Sequence, residues 1–441
     1  MMKNKILLIL PVLMLIIGCS GSRKIEFEEY KLDNGLHVIL HEDHTTPNVA
    51  VSIMYHVGSK NEDPERTGFA HFFEHLMFEG SPNIARGEYF KTIEGAGGTL
   101  NANTSFDRTF YYEILPSNQL ELGLYMESER LFHLKIDSLG LETQRKVVKE
   151  ERKQSYENRP YGSILEETFK RAYKVHPYRW LPIGSVQYID QAKLEEFIDF
   201  YKHYYVPNNA TLSIAGDINK SQTKEFIHKF FAEIPKGTKE IKREFPVEPP
   251  LGGEIRDTVY DNIQLPAVIQ SYRIPAQGTE DYYALNMLTT LLSSGQSSRL
   301  YKAIVDEQQK AVTAMSLPFS LEDGGQFLVF AVCNMGKDAK EVEDAIYEEI
   351  IKVQNDLISE REFLKLQNQI EKSFVEENSK VAGIAENLAN YHVYFGDANL
   401  INTEIERFMK VTREDIKRVA KKYLVKENRV VLHYLPKSSQ K

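Results

Sequence analysis

A segment in the first half of the chain returns in the second half at a fixed distance. Glu195-Glu-Phe-Ile followed by Tyr204-Tyr-Val-Pro-Asn-Asn-Ala-Thr-Leu212 is echoed by Glu414-Asp-Ile-Lys followed by Tyr423-Leu-Val-Lys-Glu-Asn-Arg-Val-Val431, a constant offset of 219 residues. Duplication of one α+β unit is the simplest account, and it restricts the fold to two similar domains joined in tandem. Between the copies, Pro235-Lys-Gly-Thr-Lys-Glu-Ile-Lys-Arg-Glu-Phe-Pro-Val-Glu-Pro-Pro-Leu-Gly-Gly253 is rich in Pro, Gly and charge, as a linker is. With 42% hydrophobic and 11% aromatic residues, the chain can build two cores in domains of about 200 residues each.

The first copy carries the chemistry. In Thr67-Gly-Phe-Ala-His-Phe-Phe-Glu-His-Leu-Met-Phe-Glu-Gly80, the residues Phe69, Phe72, Phe73 and Leu76 recur at three- and four-residue spacing, which predicts a helix stopped near Gly80. On a helix His71 and His75 point the same way, with Cβ atoms about 5–6 Å apart, so they can share one metal ion. Zn²⁺ accepts imidazole nitrogen readily, and a catalytic site keeps one position for a water that a nearby carboxylate such as Glu74 can deprotonate. The pattern H-x-x-E-H is a zinc-peptidase motif, the reverse of H-E-x-x-H. A third ligand is required, and the Glu-rich helix Gln144 to Glu157 offers two candidates, Glu150 and Glu151.

Five local matches give the chain a family resemblance. Tyr30-Lys-Leu-Asp-Asn-Gly-Leu-His-Val38, the motif from His71 to Ser81, Gly97-Gly-Thr-Leu-Asn-Ala-Asn-Thr104, Val147-Val-Lys-Glu-Glu-Arg152 and Ser293-Ser-Gly-Gln-Ser-Ser-Arg-Leu-Tyr301 together resemble the pitrilysin/insulinase family of inverted-motif zinc peptidases. Within it the chain is similar to the shorter bacterial members related to mitochondrial processing peptidase. The resemblance implies two homologous α/β-sandwich domains of α+β class closing as a clam-like chamber, with zinc in the N-terminal one. It also implies a third ligand 76 positions after the second His, which Glu151 fits and Glu150 misses by one. The family receives its peptide substrate as an added strand beside Asn101, Ala102 and Asn103, binding main chain more than side chains.

The chain departs from the family pattern in its second half. The substrate-holding Arg and Tyr of the family fall on Val305 and Val312, neither of which can donate a hydrogen bond. Some relatives divide the work between a zinc subunit and a partner with the Arg/Tyr pair, so the expectation is the zinc-bearing half of a heterodimer. The competing expectation, a non-catalytic assembly subunit, fits poorly with retention of His71, Glu74, His75 and Glu151. Gln144 stands where several relatives carry an acidic residue, which predicts a differently tuned surrounding of the metal.

The remaining readings place the chain in a cell. A short basic start, an apolar run from Ile6 to Ile17 and the ending Ile16-Ile-Gly-Cys19 resemble a bacterial lipoprotein signal, too short to span a bilayer comfortably. The expected division is therefore a signal peptide over 1–18, a zinc-binding domain over 19–235, a linker over 236–255 and a metal-free domain of the same fold over 256–441. Lipid on Cys19 would tether the body to a membrane of the cell envelope, facing the periplasm. That leaves Cys333, expected in a buried strand, with no intramolecular partner. A net charge of −9 and a pI near 5.8 argue against nucleic acid as a partner. His176, in a loop beside Pro177, is expected to be a structural residue and no ligand.

Overall fold

The computed structural model describes residues 24–439, so Cys19 and the expected signal peptide lie outside the described residues. The first half contains β1 (Glu28–Lys31), β2 (His37–Glu42), β3 (Asn48–Tyr55), α1 (Phe69–Leu76), α2 (Glu88–Gly95), β4 (Thr99–Thr104) and β5 (Thr109–Pro116). It continues through α3 (Leu120–Phe132), α4 (Ser138–Arg152), α5 (Ile164–Ala172), α6 (Val186–Gln191), α7 (Leu194–Tyr204), β6 (Ala210–Gly216) and α8 (Lys220–Phe231). The second half contains β7 (Ile255–Asp261), β8 (Ala267–Ile274), α9 (Glu280–Ser293), β9 (Ala311–Phe319), β10 (Gly325–Cys333) and α10 (Ala339–Asn355). It ends with α11 (Glu360–Glu377), α12 (Val381–Phe395), α13 (Leu400–Lys410), α14 (Arg413–Tyr423) and β11 (Arg429–Pro436). No helix or strand lies between α8 and β7.

The duplication is visible in the strand registers. The first sheet runs β1-β2-β6-β3-β5-β4 and the second β7-β11-β8-β10-β9, the same order without the outermost strand. In each, one parallel pair, β2 with β6 and β7 with β11, interrupts an otherwise antiparallel sheet. The starts of β3 and β8, and those of β6 and β11, are separated by the 219 residues of the sequence repeat. A duplicated chain that kept its strand lengths would give this result.

Each half lends the other a helix. β3 is buried along seven of its eight residues, so it reads as a continuous apolar run and not as an alternating strand. One of its faces packs Val49, Val51, Ile53 and Tyr55 into the N-terminal core beside Phe72 and Phe73 of α1. On the other face, Ala50 joins Ile39 and Ala215 against Ile384, Ala385 and Leu388 of α12, a helix of the second half. In return α5, with Phe169 and Ala172, covers Ile269, Leu432 and Tyr434 of the second sheet, and Ser163 Oγ lies 3.1 Å from Tyr434 Oη. The two helices occupy matching places in the two halves, so the domains are interlocked by a reciprocal exchange.

Cys333 closes β10 fully buried, as expected from Phe330-Ala-Val-Cys. After α9 the chain forms a wider π-type turn over Tyr301–Glu307. Its last residues bond back five positions, and Gln309 beyond it adopts a left-handed φ of 50°. Among the described residues, no helix is long and apolar enough to cross a membrane.

Candidate metal centre

Helix α1 has an apolar face and a donor face. Phe69, Phe72, Phe73 and Leu76 are at most 3% exposed and pack on α7, where Phe69 stacks on Phe197 at 4.3 Å and Phe73 on Phe200 at 5.6 Å. That packing turns His71 and His75 to the other side, with ring centroids 4.9 Å apart.

Both ends of α1 are held. At its start Gly68 takes φ 99°, a conformation other residues rarely adopt, and its backbone lies so close to Gly184 that a Cβ on Gly184 would clash with it. The orphan N–H groups of Gly68 and Ala70 donate to the Glu62 carboxylate at 2.9 and 2.8 Å, and the Trp180 indole adds a third bond at 3.1 Å. At the other end Arg130, wholly buried, donates to the carbonyl of Met77 at 2.9 Å.

The third donor comes from the last turn of α4. Glu151 reaches both imidazoles, Oε1 lying 3.5 Å from His71 Nε2 and Oε2 3.1 Å from His75 Nε2. Hydrogen bonding to His71, and then to His75, holds the Glu151 carboxyl well below the usual carboxylate range. Glu150 is exposed and accepts from Gln154 at 3.0 Å, so of the two sequence candidates only Glu151 joins the histidines. The neighbouring Arg152 fixes this end of α4 by donating to Gly184 O at 2.7 Å and to both oxygens of Glu166 at 2.9 Å. Gln144 does not reach the histidines; it donates to Glu79 at 2.6 Å and ties α4 to the segment after α1.

Two imidazoles and one carboxylate, with one donor atom each all within 4.8 Å of one another, suit a borderline ion such as Zn²⁺. His71 Nδ1 is buried with no hydrogen-bond partner, so its tautomer is not fixed by an acceptor behind the ring. Glu74 follows His71 by three positions on α1 and is half-buried.

β4 borders α1 and forms an end of the first sheet, paired on one side only, with β5. Its free edge leaves main-chain groups unpaired. Asn101 and Asn103 are exposed and Ala102 half-buried; Asn101 Oδ1 accepts from the N–H of Ala102 at 2.8 Å and Asn103 Oδ1 from Arg108 Nη1 at 2.7 Å. His176 caps a short turn, accepting from Tyr178 N at 3.2 Å, and is no part of the cluster. Val312 is 48% exposed on β9 and Val305 half-buried in the π-type turn. Arg299 is engaged by Glu362 at 3.0 Å. Sequence reasoning missed Glu62 and Arg130; an acidic residue seven positions before a predicted helix start was the available signal for the first, and none existed for the second.

Comparison with known proteins gives a consistent picture. Residues 37–179 match the family model described as insulinase (peptidase family M16), and residues 191–370 the one described as peptidase M16 inactive domain. The zinc protease PqqE of Helicobacter pylori is 32% identical over 421 residues, covering 93% of this chain and 94% of that protein. An uncharacterized zinc protease of Bacillus subtilis, YmxG, is 25% identical over 79% of this chain and 83% of its own. The crystal structure of a protease from Helicobacter pylori superposes with a TM-score of 0.90 at 30% identity, covering 93% of this chain and 100% of that one. The first half of the periplasmic protease PqqL of Escherichia coli shares the fold, with a TM-score of 0.75 at 18% identity over 93% of this chain and 92% of that one.

Proposed function

Because the chain belongs to the insulinase family, peptidase family M16, we propose that it is a zinc-dependent endopeptidase acting on peptides or unfolded segments. The observation that carries this reading is the convergence of His71, His75 and Glu151 beside the open edge of β4. Those three residues would hold one Zn²⁺ per chain, which when bound supplies Lewis acidity toward the scissile carbonyl. Glu74 takes the proton of the attacking water and hands it to the leaving amine. The free edge of β4 from Asn101 to Asn103 receives the substrate as an extended strand, which gives affinity through main-chain hydrogen bonds and little side-chain preference. The two interlocked domains form the wall of a chamber that excludes intact globular proteins.

Two further parts of the reading concern partners. Val305 and Val312 offer no hydrogen-bond donor, so a second family member supplies the missing Arg and Tyr and the working unit is a heterodimer. Cys19 carries the lipid that tethers the chain to the cell envelope on its periplasmic side.

The test is cleavage of a quenched fluorescent peptide library by the zinc-loaded chain from Ser20 onward, with Glu74→Gln alongside. Loss of one catalytic proton carrier is expected to lower turnover by at least about 10²-fold while zinc content stays the same. A Glu74→Gln protein as active as the parent would refute the mechanism. Full activity from the single chain would remove the need for a partner, and unprocessed, unlipidated protein in its native envelope would remove the anchor.

A further inference from the structure

A second group of metal-type donors lies where the two halves meet, away from α1. Glu29 of β1 stands opposite Ile39 of β2 in the strand register, so Glu29, Ile39 and His37 share one face of the sheet. That is the face covered by α12, because Ile39 packs there with Ile384 and Leu388. The last turn of α12 brings His392 onto His37, with ring centroids 3.4 Å apart and planes 3° from parallel. His37 Nε2 lies 3.0 Å from Glu29 Oε2, and one donor atom from each of the three residues falls within 4.8 Å of the other two.

Parallel rings this close cannot both aim a ring nitrogen at one ion, so binding would turn His37 or His392 out of a stack that aromatic quadrupoles favour little. We propose that Glu29, His37 and His392 form a second divalent-metal site, which staples α12 of the second half to β1 and β2 of the first. Two imidazole nitrogens and one carboxylate select a borderline transition ion such as Zn²⁺ over Ca²⁺ or Mg²⁺, which demand oxygen ligands. His37 and His392 are half-buried and Glu29 is exposed, so an ion can enter from solvent. Lys31, opposite His37 in the register, brings a positive charge that opposes the ion, and the Glu29 carboxylate offsets it. The role is structural: the three ligands come from three elements and both halves of the chain.

The test uses the chain from Ser20 onward carrying His71→Ala and His75→Ala, so that the centre on α1 is removed and failure of the proposed peptidase function cannot affect the result. Titration with ZnCl₂ by calorimetry should still show one ion per chain, with a Kd at or below about 1 μM, and the ion should raise Tm. Adding Glu29→Gln, at an exposed position where folding is not at risk, should weaken binding by about 10-fold. Adding His392→Gln should weaken it by about 100-fold or more and abolish the zinc-dependent rise in Tm. Absence of a stoichiometric ion in the His71→Ala/His75→Ala protein would overturn the proposal. So would binding that Glu29→Gln and His392→Gln leave unchanged, since the ion would then sit elsewhere.

Discussion

Arg130 shows how much of the candidate metal centre depends on a residue that touches none of its donors. Its guanidinium lies over the rings of Phe78, Tyr89 and Tyr111 at 4.4–4.5 Å, pairs with Glu127 at 3.0 Å and donates to Met77 O at the end of α1. Burial, and then the charge of Glu127, pushes the nearby Glu113 carboxyl well above the usual carboxylate range, while Arg130 balances the Glu127 charge directly. Arg130→Met removes that balance and leaves Glu127, which is fully buried, without a counter-charge. Breaking a buried pair from one side costs about 3–5 kcal/mol, and urea denaturation of the variant should show a loss of that size. Lysine should not restore it, having neither the planar fork nor the ring-stacking surface of arginine. A loss under about 1 kcal/mol would mean that the buried pair stabilises the fold no more than apolar packing in its place. At this scale the clustered side chains were legible in the sequence: His71 and His75 because their spacing is local, and Glu151 because of the family's spacing. Arg130 was not, because a buried cation leaves no periodic mark on its helix.

The packing of α9 on α14 gives an element-scale case with a defined pH dependence. Asp281, in the first turn of α9, accepts from Lys422 at 2.8 Å and Tyr423 at 2.7 Å and pairs with Arg418 at 2.5 Å, all on α14. Burial disfavours its charged form, but Lys422, Tyr423 and Arg418 outweigh burial and bring its pKa down to about 2, below the ordinary aspartate value of 3.8. A depressed acid stabilises the fold above its unfolded pKa and loses that contribution as pH falls through the folded value. Asp281→Asn should therefore cost about 1–3 kcal/mol at pH 7, and the gap from the parent should close between about pH 4 and pH 2. Denaturation curves across that range would check it; a gap that persists at the lowest pH would mean that packing, and not charge, joins the helices. The elements themselves were unevenly legible. The buried strand at Cys333 was legible from Phe330-Ala-Val-Cys, whereas α12 was not. The end of α12, Tyr391-His-Val-Tyr-Phe395, has the composition of a strand, and docking on the N-terminal sheet overrides it.

For the whole molecule, the sequence repeat foretold two copies of one unit but not that they exchange helices, because an apolar helix face does not say which sheet it will cover. The exchange has to be weighed against the polar contacts between the halves, among them a buried ion cluster. Lys60, 2% exposed, meets Asp107 at 3.1 Å in its own half, and Glu322 and Asp323 at 2.5 and 3.2 Å at the tip of the β9–β10 hairpin. His56 adds a contact to Glu322 at 3.0 Å. Replacing Lys60 by Met strands Asp107, also 2% exposed, and should cost about 3–5 kcal/mol. The two exchanged helices bury far more apolar surface than this cluster, and that surface is intact in the variant. Calorimetry of Lys60→Met should accordingly show one cooperative transition at lower temperature. Leu388→Asp should behave differently: it buries an unpaired carboxylate between α12 and the first sheet, where Leu388 is fully buried against Ile39 and Ala50. There the halves should melt separately, in two transitions. Two transitions in Lys60→Met, or one in a folded Leu388→Asp protein, would show that the ion cluster and not the helix exchange makes the two domains a single cooperative body.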